Sequence, residues 1–218
     1  MATIGTFYFP SRAISGITDP MTTHASGIIA PIPWTLITED LPAVFSTTRA
    51  PRALGTFFLP RGRAREMASV VEQTLRSTGW MSVEWRSVPV CFERFDRARR
   101  HAMPAIMQLA AIAGAGIGKP GRALERARQY IETHAARHHA RGFAVVSLST
   151  STVIYKGLLA PDELATFYPD LREPAFGQPL AVLHRRLSPT ADPLWALAPP
   201  LHTLAHNGEL RQATSSLW

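Results

Sequence analysis

Residues 143–157, FAVVSLSTSTVIYKG, decide the fold class because they hold the clearest strand signal in the chain. Two runs rich in β-branched and aromatic residues, 143–148 and 152–157, flank a polar link at 149–151. Such runs favour strands, and the short polar link between them predicts a β-hairpin.

Outward from this pair, strand-like and helix-like segments alternate. Apolar runs at 27–32 and 53–59 predict buried strands, because proline-rich turn signals follow each of them. Over 63–77 the apolar spacing predicts a helix, and the alternation over 82–90 predicts another strand. A short helix is predicted at 161–164, where proline and acids occupy the first turn, and a buried strand at 180–184.

The glycine-rich stretch GAGIGKPG at 114–121 resembles a phosphate-binding loop only superficially. Pro120 stands where a P-loop needs Ser or Thr, and the preceding residues, 94–112, read as partly helical with a break near Pro104. A dinucleotide fingerprint needs a strand at that place. We therefore expect a flexible linker at about 114–121 within one domain of residues 1–218.

A helix over 121–139 follows, with Leu124, Ala127, Arg128 and Ile131 on one face. His134 and His138 near its end have the i, i+4 spacing of a metal-binding pair. No glutamate accompanies them at zincin spacing, which favours a solvated helix end and no metal site.

Composition excludes several classes of protein. The chain has 218 residues, 46% of them hydrophobic, which is enough for a buried core, and no apolar run is long enough to span a membrane. Arginine carries nearly all of the formal charge of +7, since Lys119 and Lys156 are the only lysines. The basic stretches also carry acids, and no nucleic-acid-binding motif accompanies them, so no dedicated nucleic-acid function is expected.

Cys91 is the only cysteine in the sequence. One cysteine cannot form an internal disulfide framework and fits a reducing, cytoplasmic compartment. Because an isolated cysteine usually behaves as a small hydrophobe, Cys91 is expected to be packed.

Several motifs, in order, resemble the class II glutamine amidotransferase domain of the glutamate synthase large subunit. They run from about residue 15 to residue 209 and comprise FLP at 58–60, WRSVPV at 85–90, SLS at 147–149, TVIYKG at 152–157, FYPDL at 167–171, HRRLS at 184–188, PLW at 193–195 and AHNGE at 205–209. Their order and spacing make the resemblance more specific than any single motif.

The resemblance implies a fold and a site. The fold would be α+β, an incomplete version of the four-layer αββα sandwich of N-terminal-nucleophile enzymes. Asn207 and Gly208 would form the oxyanion hole, and Arg186 and His206 would bind the substrate. A planar, permanently charged arginine suits the α-carboxylate of glutamine. Without the surrounding motifs, Asn-Gly would read as a tight turn and Arg186 as an ion-pair partner.

Three departures from the family pattern bear on activity. The sequence begins Met1-Ala2-Thr3 where family members begin with the cysteine nucleophile, and Cys91 lies mid-chain. In the loop at 19–27, His24 stands in place of an aspartate, and Thr23 and Ala25 stand in place of glycines. If those glycines adopt a positive φ, Thr23 and Ala25 would be strained there. The sequence also ends soon after residues 207–208, so the expected domain is incomplete at both ends, with exposed strand edges.

The expected function is a degenerate glutamine amidotransferase domain, related to glutamate biosynthesis and without glutaminase activity of its own. One alternative is a non-catalytic glutamine-binding or regulatory module that pairs with another amidotransferase chain. A decayed paralogue fragment is the second alternative. The expected ligand is L-glutamine and the expected partner another glutamate synthase-type subunit; no cofactor, metal, nucleic acid or membrane is expected.

Overall fold

The computed structural model of the chain describes residues 23–41, 50–93, 95–177, 179–187 and 194–200. Within those ranges, no helix has the length and apolar character needed to cross a membrane. In chain order the helices and strands are β1 (Thr23–Pro31), α1 (Trp34–Asp40), β2 (Arg52–Leu59), α2 (Ala64–Ser77), β3 (Trp80–Ser87), α3 (Arg97–Ala102), β4 (Ala105–Ala113), α4 (Pro120–Arg137), β5 (Ala144–Ser149), β6 (Thr152–Gly157), α5 (Leu164–Phe167) and β7 (Ala181–Leu187).

The strands form two antiparallel sheets. In the first sheet, β1 lies between β6 and β7. The second sheet has the order β3-β4-β2-β5, so β4 and β2 are its two central strands. The core between the sheets contains Phe58 from β2, Tyr155 from β6 and Phe167 from α5. Burying such aromatic rings supplies much of the free energy that holds the two sheets together.

Helices α2 and α4 cover the other face of the second sheet. Met67, Val71 and Leu75 of α2 are fully buried against Phe57, as their helical spacing predicts. The predicted apolar face of α4 is confirmed too, and it includes Arg128, which is only 4% exposed. The order of layers is therefore helices, sheet, sheet.

This architecture confirms the predicted α+β two-sheet sandwich. The predicted helix over 63–77 and the strands at 27–32, 53–59 and 82–90 are confirmed within a few residues. The short helix predicted at 161–164 is found as a 3₁₀ turn, Pro161–Glu163, that leads directly into α5.

Two local predictions are wrong because they considered neighbours in sequence only. Residues 105–113, expected to be partly helical, form the central strand β4, and only α3 before them is helical. The hairpin predicted from 143–157 is absent: β5 pairs with β2, and β6 pairs with β1 in the other sheet. Residues 150–151 carry the chain from β5 in one sheet to β6 in the other.

A third correction concerns β7. The segment 180–184 was expected to be a buried strand, but Leu180 is 64% exposed and Val182 is 52% exposed. Within the described part of the chain β7 pairs with β1 alone, so it lies at a sheet edge. Edge strands are less covered than central ones, which explains the exposed apolar side chains.

Candidate functional site

The four predicted site residues are only partly within the described chain. Arg186 lies on β7, where its backbone is paired with His24 of β1. His206, Asn207 and Gly208 lie outside the described residues. The backbone register therefore places position 186 opposite position 24 at one end of the first sheet.

Two histidines meet at this end of the sheet. Nδ1 of His24 lies 2.9 Å from Nε2 of His184, the residue two positions before Arg186 on β7. The ring centres are 5.1 Å apart and the ring planes differ by 11°. Two imidazole edges in hydrogen-bond contact place their centres roughly 5 Å apart, so the rings lie side by side and one ring nitrogen can donate a hydrogen bond to the other.

The side chain of Glu163 adds a carboxylate near the histidines. Its two oxygens accept hydrogen bonds of 3.3 and 3.2 Å from the Arg99 guanidinium, and Oε2 also accepts one of 2.8 Å from the backbone N–H of Ala160. Burial by itself would raise the pKa of Glu163, but these hydrogen bonds and the charges of Arg99 and His24 bring it below the ordinary value. Glu163 is therefore a fixed anion at neutral pH.

This end of the sheet can hold a small polar ligand by hydrogen bonds and charge. The imidazole pair supplies both a donor and an acceptor, whichever tautomer it adopts. Within the described ranges no three His, Cys, Asp or Glu side chains come close enough to hold a metal ion. Sequence reasoning noted His24 only as a replacement for aspartate and did not predict its contact with His184, because β1 and β7 are about 160 residues apart in sequence.

Residues 23–25 adopt extended backbone as the first residues of β1. His139 is the only residue other than glycine with a positive φ in the described part of the chain. The expectation that Thr23 and Ala25 are strained replacements for glycines is therefore wrong. Any residue can adopt their conformation.

Three of the family-like motifs converge on one buried cluster between the sheets. Arg86 of β3 forms ion pairs with Asp170 and Asp40, and both Arg86 and Asp170 are almost completely buried. The Tyr155 hydroxyl donates a hydrogen bond of 2.6 Å to the same Oδ2 of Asp170. The cluster joins the motifs WRSVPV, TVIYKG and FYPDL, and Asp40 is its exposed member, with 46% of its side chain accessible. These residues stabilise the fold.

Lys156 on β6 is a buried cation. Its Nζ donates hydrogen bonds of 2.9 Å to the carbonyl of Ala196 and 3.4 Å to the carbonyl of Pro200, and the residue is only 4% exposed. Burial, assisted by the positive charge of Arg128, lowers the pKa of Lys156 to about 8. Both acceptors belong to residues 194–200, which we call the strap.

The strap crosses the first sheet where two glycines leave room for it. A Cβ on Gly27 would overlap Pro199 O and would lie 2.8 Å from Pro200 Cδ, and a Cβ on Gly157 would overlap the Trp195 ring. Trp195 is 5% exposed and contacts Phe58 edge-on. Side chains at positions 27 and 157 would therefore displace the strap.

Cys91 differs from its predicted environment. The residue was expected to be packed, but it is exposed in the segment after β3. Its backbone nitrogen is a peptide amide that donates a hydrogen bond of 2.8 Å to the carbonyl of Phe167. An amide nitrogen cannot accept a proton, so this residue lacks the neighbouring base that an N-terminal cysteine carries.

The glycine-rich stretch is preceded by strand β4, which corrects the expectation of a helix there. It joins β4 to α4, and the N–H of Gly114 bonds to the carbonyl of Gly79 at 2.9 Å. Both neighbours of β4 are antiparallel to it, and β2 separates it from β5. The parallel pair that a dinucleotide fold needs is thus absent from the described sheet, and Pro120 still excludes a P-loop.

Comparison with known proteins agrees with the motifs. Residues 13–215 match the family described as "Glutamine amidotransferases class-II". The chain is 34% identical over 199 residues to the chloroplastic ferredoxin-dependent glutamate synthase of Spinacia oleracea, an alignment that covers 88% of this chain and 12% of that protein.

Bacterial proteins are similar over the same region. The large chain of the NADPH glutamate synthase of Azospirillum brasilense is 32% identical over 163 residues, which cover 72% of this chain and 11% of that protein. The corresponding chain of Bacillus subtilis is 26% identical over 197 residues, covering 88% of this chain and 13% of that protein. The chain thus spans about an eighth of the length of these relatives.

Proposed function

This chain belongs to the class II glutamine amidotransferases, and we propose that its 218 residues recognise L-glutamine without hydrolysing it. The observation that carries the proposal is the match over residues 13–215 in a sequence whose only cysteine is internal. Enzymes of this class use an N-terminal cysteine as the nucleophile, and the α-amine of that same cysteine acts as the base.

Cys91 does not supply that chemistry. Its nitrogen is the amide that bonds to Phe167, and its side chain is exposed on a loop after β3. The two histidines, His24 and His184, lie on the other sheet. Hydrolysis needs a nucleophile, a base and an oxyanion hole around one carboxamide carbon, and these 218 residues contain no cysteine that combines the first two.

Recognition of glutamine rests on Arg186, His206, Asn207 and Gly208. We assign Arg186 to the α-carboxylate, because a guanidinium can bind a carboxylate with two hydrogen bonds and stays charged at every relevant pH. Its place on β7, opposite His24 and two residues from His184, supports this role. Asn207 and Gly208 would face the carboxamide oxygen.

A thermal-shift titration with L-glutamine and L-glutamate tests recognition. We expect saturable stabilisation of the unaltered chain, since a ligand that binds only the folded state raises its melting temperature. Arg186→Ala should abolish that shift. Arg185→Ala is the matched control, because consecutive strand residues point to opposite faces of the sheet and Arg185 should not reach the ligand. Equal shifts in both variants, or none in the unaltered chain, would contradict the proposal.

A second candidate function is pairing with another glutamate synthase-type chain. Leu180 and Val182, exposed at the β7 edge, favour it, because an edge strand with apolar side chains can be extended by a strand from another protein. Co-purification of the chain with a glutamate synthase large subunit would support this function. Val182→Lys should weaken that association; an unchanged association in the variant, or none at all, would count against it.

A further inference from the structure

Two buried polar atoms on neighbouring strands have no part in the proposed contacts with glutamine. Nε of Arg86 on β3 and Oε1 of Gln108 on β4 are inaccessible to solvent, and neither has a hydrogen-bond partner in the described part of the chain. Both side chains are almost completely buried. Buried polar atoms are nearly always hydrogen-bonded, because an unpaired one loses its contacts with water and gains nothing in exchange. A donor and an acceptor buried in the same place therefore indicate a shared partner.

The register of the second sheet brings the two side chains together. Arg86 is directly opposed to Gln108 in the β3–β4 pair, and Gln108 is directly opposed to Thr56 in the β4–β2 pair. Directly opposed side chains lie on the same face of a sheet with their Cβ atoms about 5 Å apart. The three side chains thus form a row on the face that contacts Tyr155 of the first sheet.

The hydrogen bonds of Tyr155 determine the orientation of the Gln108 carboxamide. The hydroxyl has one proton, which it donates to Oδ2 of Asp170 at 2.6 Å. The atom of Gln108 that lies 3.2 Å from the same hydroxyl must then be a donor, so it is Nε2. Nε2 also donates to Oγ1 of Thr56 at 3.2 Å. Both protons of the amide nitrogen are therefore used, and Oε1 still needs a donor.

The chemistry of the two atoms identifies the partner as water. The partner must accept a hydrogen bond from the Nε–H of Arg86 and donate one to Oε1 of Gln108. A metal ion cannot accept a hydrogen bond and a halide ion cannot donate one, whereas a water molecule does both. A buried water needs roughly two to four polar partners, and these two atoms already supply the minimum.

We propose that one buried water molecule bridges Nε of Arg86 and Oε1 of Gln108. It closes a ring of hydrogen bonds that runs from Arg86 through Asp170, Tyr155 and Gln108 back to Arg86. The ring joins β3 and β4 of one sheet to β6 of the other. The water therefore belongs to the contact between the two sheets, where each polar group of the ring is satisfied only when the water is bound.

A crystal structure of the unaltered chain tests the site directly. We expect an ordered water at hydrogen-bond distances of roughly 2.7–3.2 Å from both Nε of Arg86 and Oε1 of Gln108. Direct contact between these two atoms, a bond from either of them to another protein group, or no density between them would overturn the proposal.

Magnetic relaxation dispersion of the water oxygen nucleus counts long-lived internal waters in solution and needs no crystal. Gln108→Met removes the acceptor and keeps a side chain of similar length, so the count should fall by about one relative to the unaltered chain. Thr56→Val is the matched control, because it removes a partner of Nε2 and leaves Oε1 and Arg86 in place. Its count should equal that of the unaltered chain.

Only variants that melt cooperatively are compared. A loss of one water in Gln108→Met alone would support the bridge. Equal counts in all three proteins, or an equal loss in both variants, would overturn it.

Discussion

Some residues of the family motifs pack in the interior of the fold and take no part in the proposed site. Arg86, Tyr155 and Asp170 come from three separate motifs and meet in one buried hydrogen-bonded cluster. The sequence indicated that each motif belongs to the family, but the contact between them joins strands and loops up to about 84 residues apart. Periodicity describes a single element and cannot predict such long-range ion pairs.

Asp170→Asn should destabilise the chain strongly. Removing one carboxylate leaves the buried Arg86 guanidinium with Asp40 alone, and breaking a buried pair costs about 3–5 kcal/mol. Urea unfolding at pH 7 measures the change in the free energy of unfolding. Asp162→Asn is the control, because Asp162 is exposed and such a substitution changes stability by roughly 0.5 kcal/mol or less. Equal small effects in both variants would show that the Arg86–Asp170 pair contributes little.

Because of Lys156, the free energy of unfolding should depend on pH in the alkaline range. Its pKa is lowered to about 8 in the folded chain, below the ordinary value of about 10.4, so the folded state binds fewer protons than the unfolded state between these values. The free energy of unfolding therefore rises with pH across that window, and the full penalty of the buried charge is present below pH 8.

The measurement compares the unaltered chain with Lys156→Met. The difference in unfolding free energy between them should rise by about 3 kcal/mol from pH 7 to pH 10.5, in favour of the unaltered chain. Tyr155 and Tyr168, whose pKa values burial raises, lower stability at high pH in both proteins and cancel in the difference. A difference that stays flat, or falls, would contradict the buried state of Lys156.

Arg186, His206, Asn207 and Gly208 stay predictions from motif resemblance, and the geometry around position 186 could not be predicted from sequence. Arg186 was identified by resemblance, and the structure adds that its backbone partner is His24. The contact between His24 and His184 depends on the register of β1 with β7, which no local pattern specifies.

Elements were predictable where their pattern is local. The helix α2 was found within a residue because its apolar side chains recur at helical spacing over 14 residues. The strand β4, AIMQLAAIA, was missed because it shows no alternation of apolar and polar residues and contains Ala, Leu, Met and Gln, which favour helices. Its position between β3 and β2 buries both faces, and tertiary packing decides its conformation.

The central position of β4 predicts its hydrogen exchange. Amides of residues 106–112 should be among the slowest to exchange, because the strand is paired on both sides and covered on both faces. Amides of the short, exposed helix α3 should exchange much faster. Residue-resolved NMR exchange at neutral pH measures both sets. Equal exchange in the two segments, or helical rather than strand-type cross-peaks over 105–113, would contradict the assignment.

The link at 149–151 shows why the sheet partners of a strand are harder to predict than the strand itself. Both β5 and β6 are strands, as predicted, but each pairs with a strand about 90 or more residues earlier in the sequence. A three-residue polar link fits a hairpin equally well as a crossing between sheets. Val146 of β5 and Tyr155 of β6 belong to the same apolar core between the sheets, so packing across that core decides the outcome.

Two features of the whole chain, its fold and its match to a family, agree with each other. The two-sheet α+β sandwich and the match over residues 13–215 establish a class II glutamine amidotransferase domain. The 218 residues align with only 11–13% of the length of the glutamate synthases compared above, so a role in glutamate synthesis remains a proposal. We propose that this chain binds glutamine without hydrolysing it.

Isothermal titration calorimetry of L-glutamine into the purified chain, with glutamate and ammonia assayed in the same cell contents afterwards, measures both binding and hydrolysis. We predict a saturable binding heat that is lost in Arg186→Ala, together with no glutamate or ammonia above the protein-free control. Release of both products at a rate proportional to protein concentration would contradict the proposed lack of hydrolysis. Absence of any binding heat, confirmed by an absent thermal shift, would contradict the proposed recognition of glutamine.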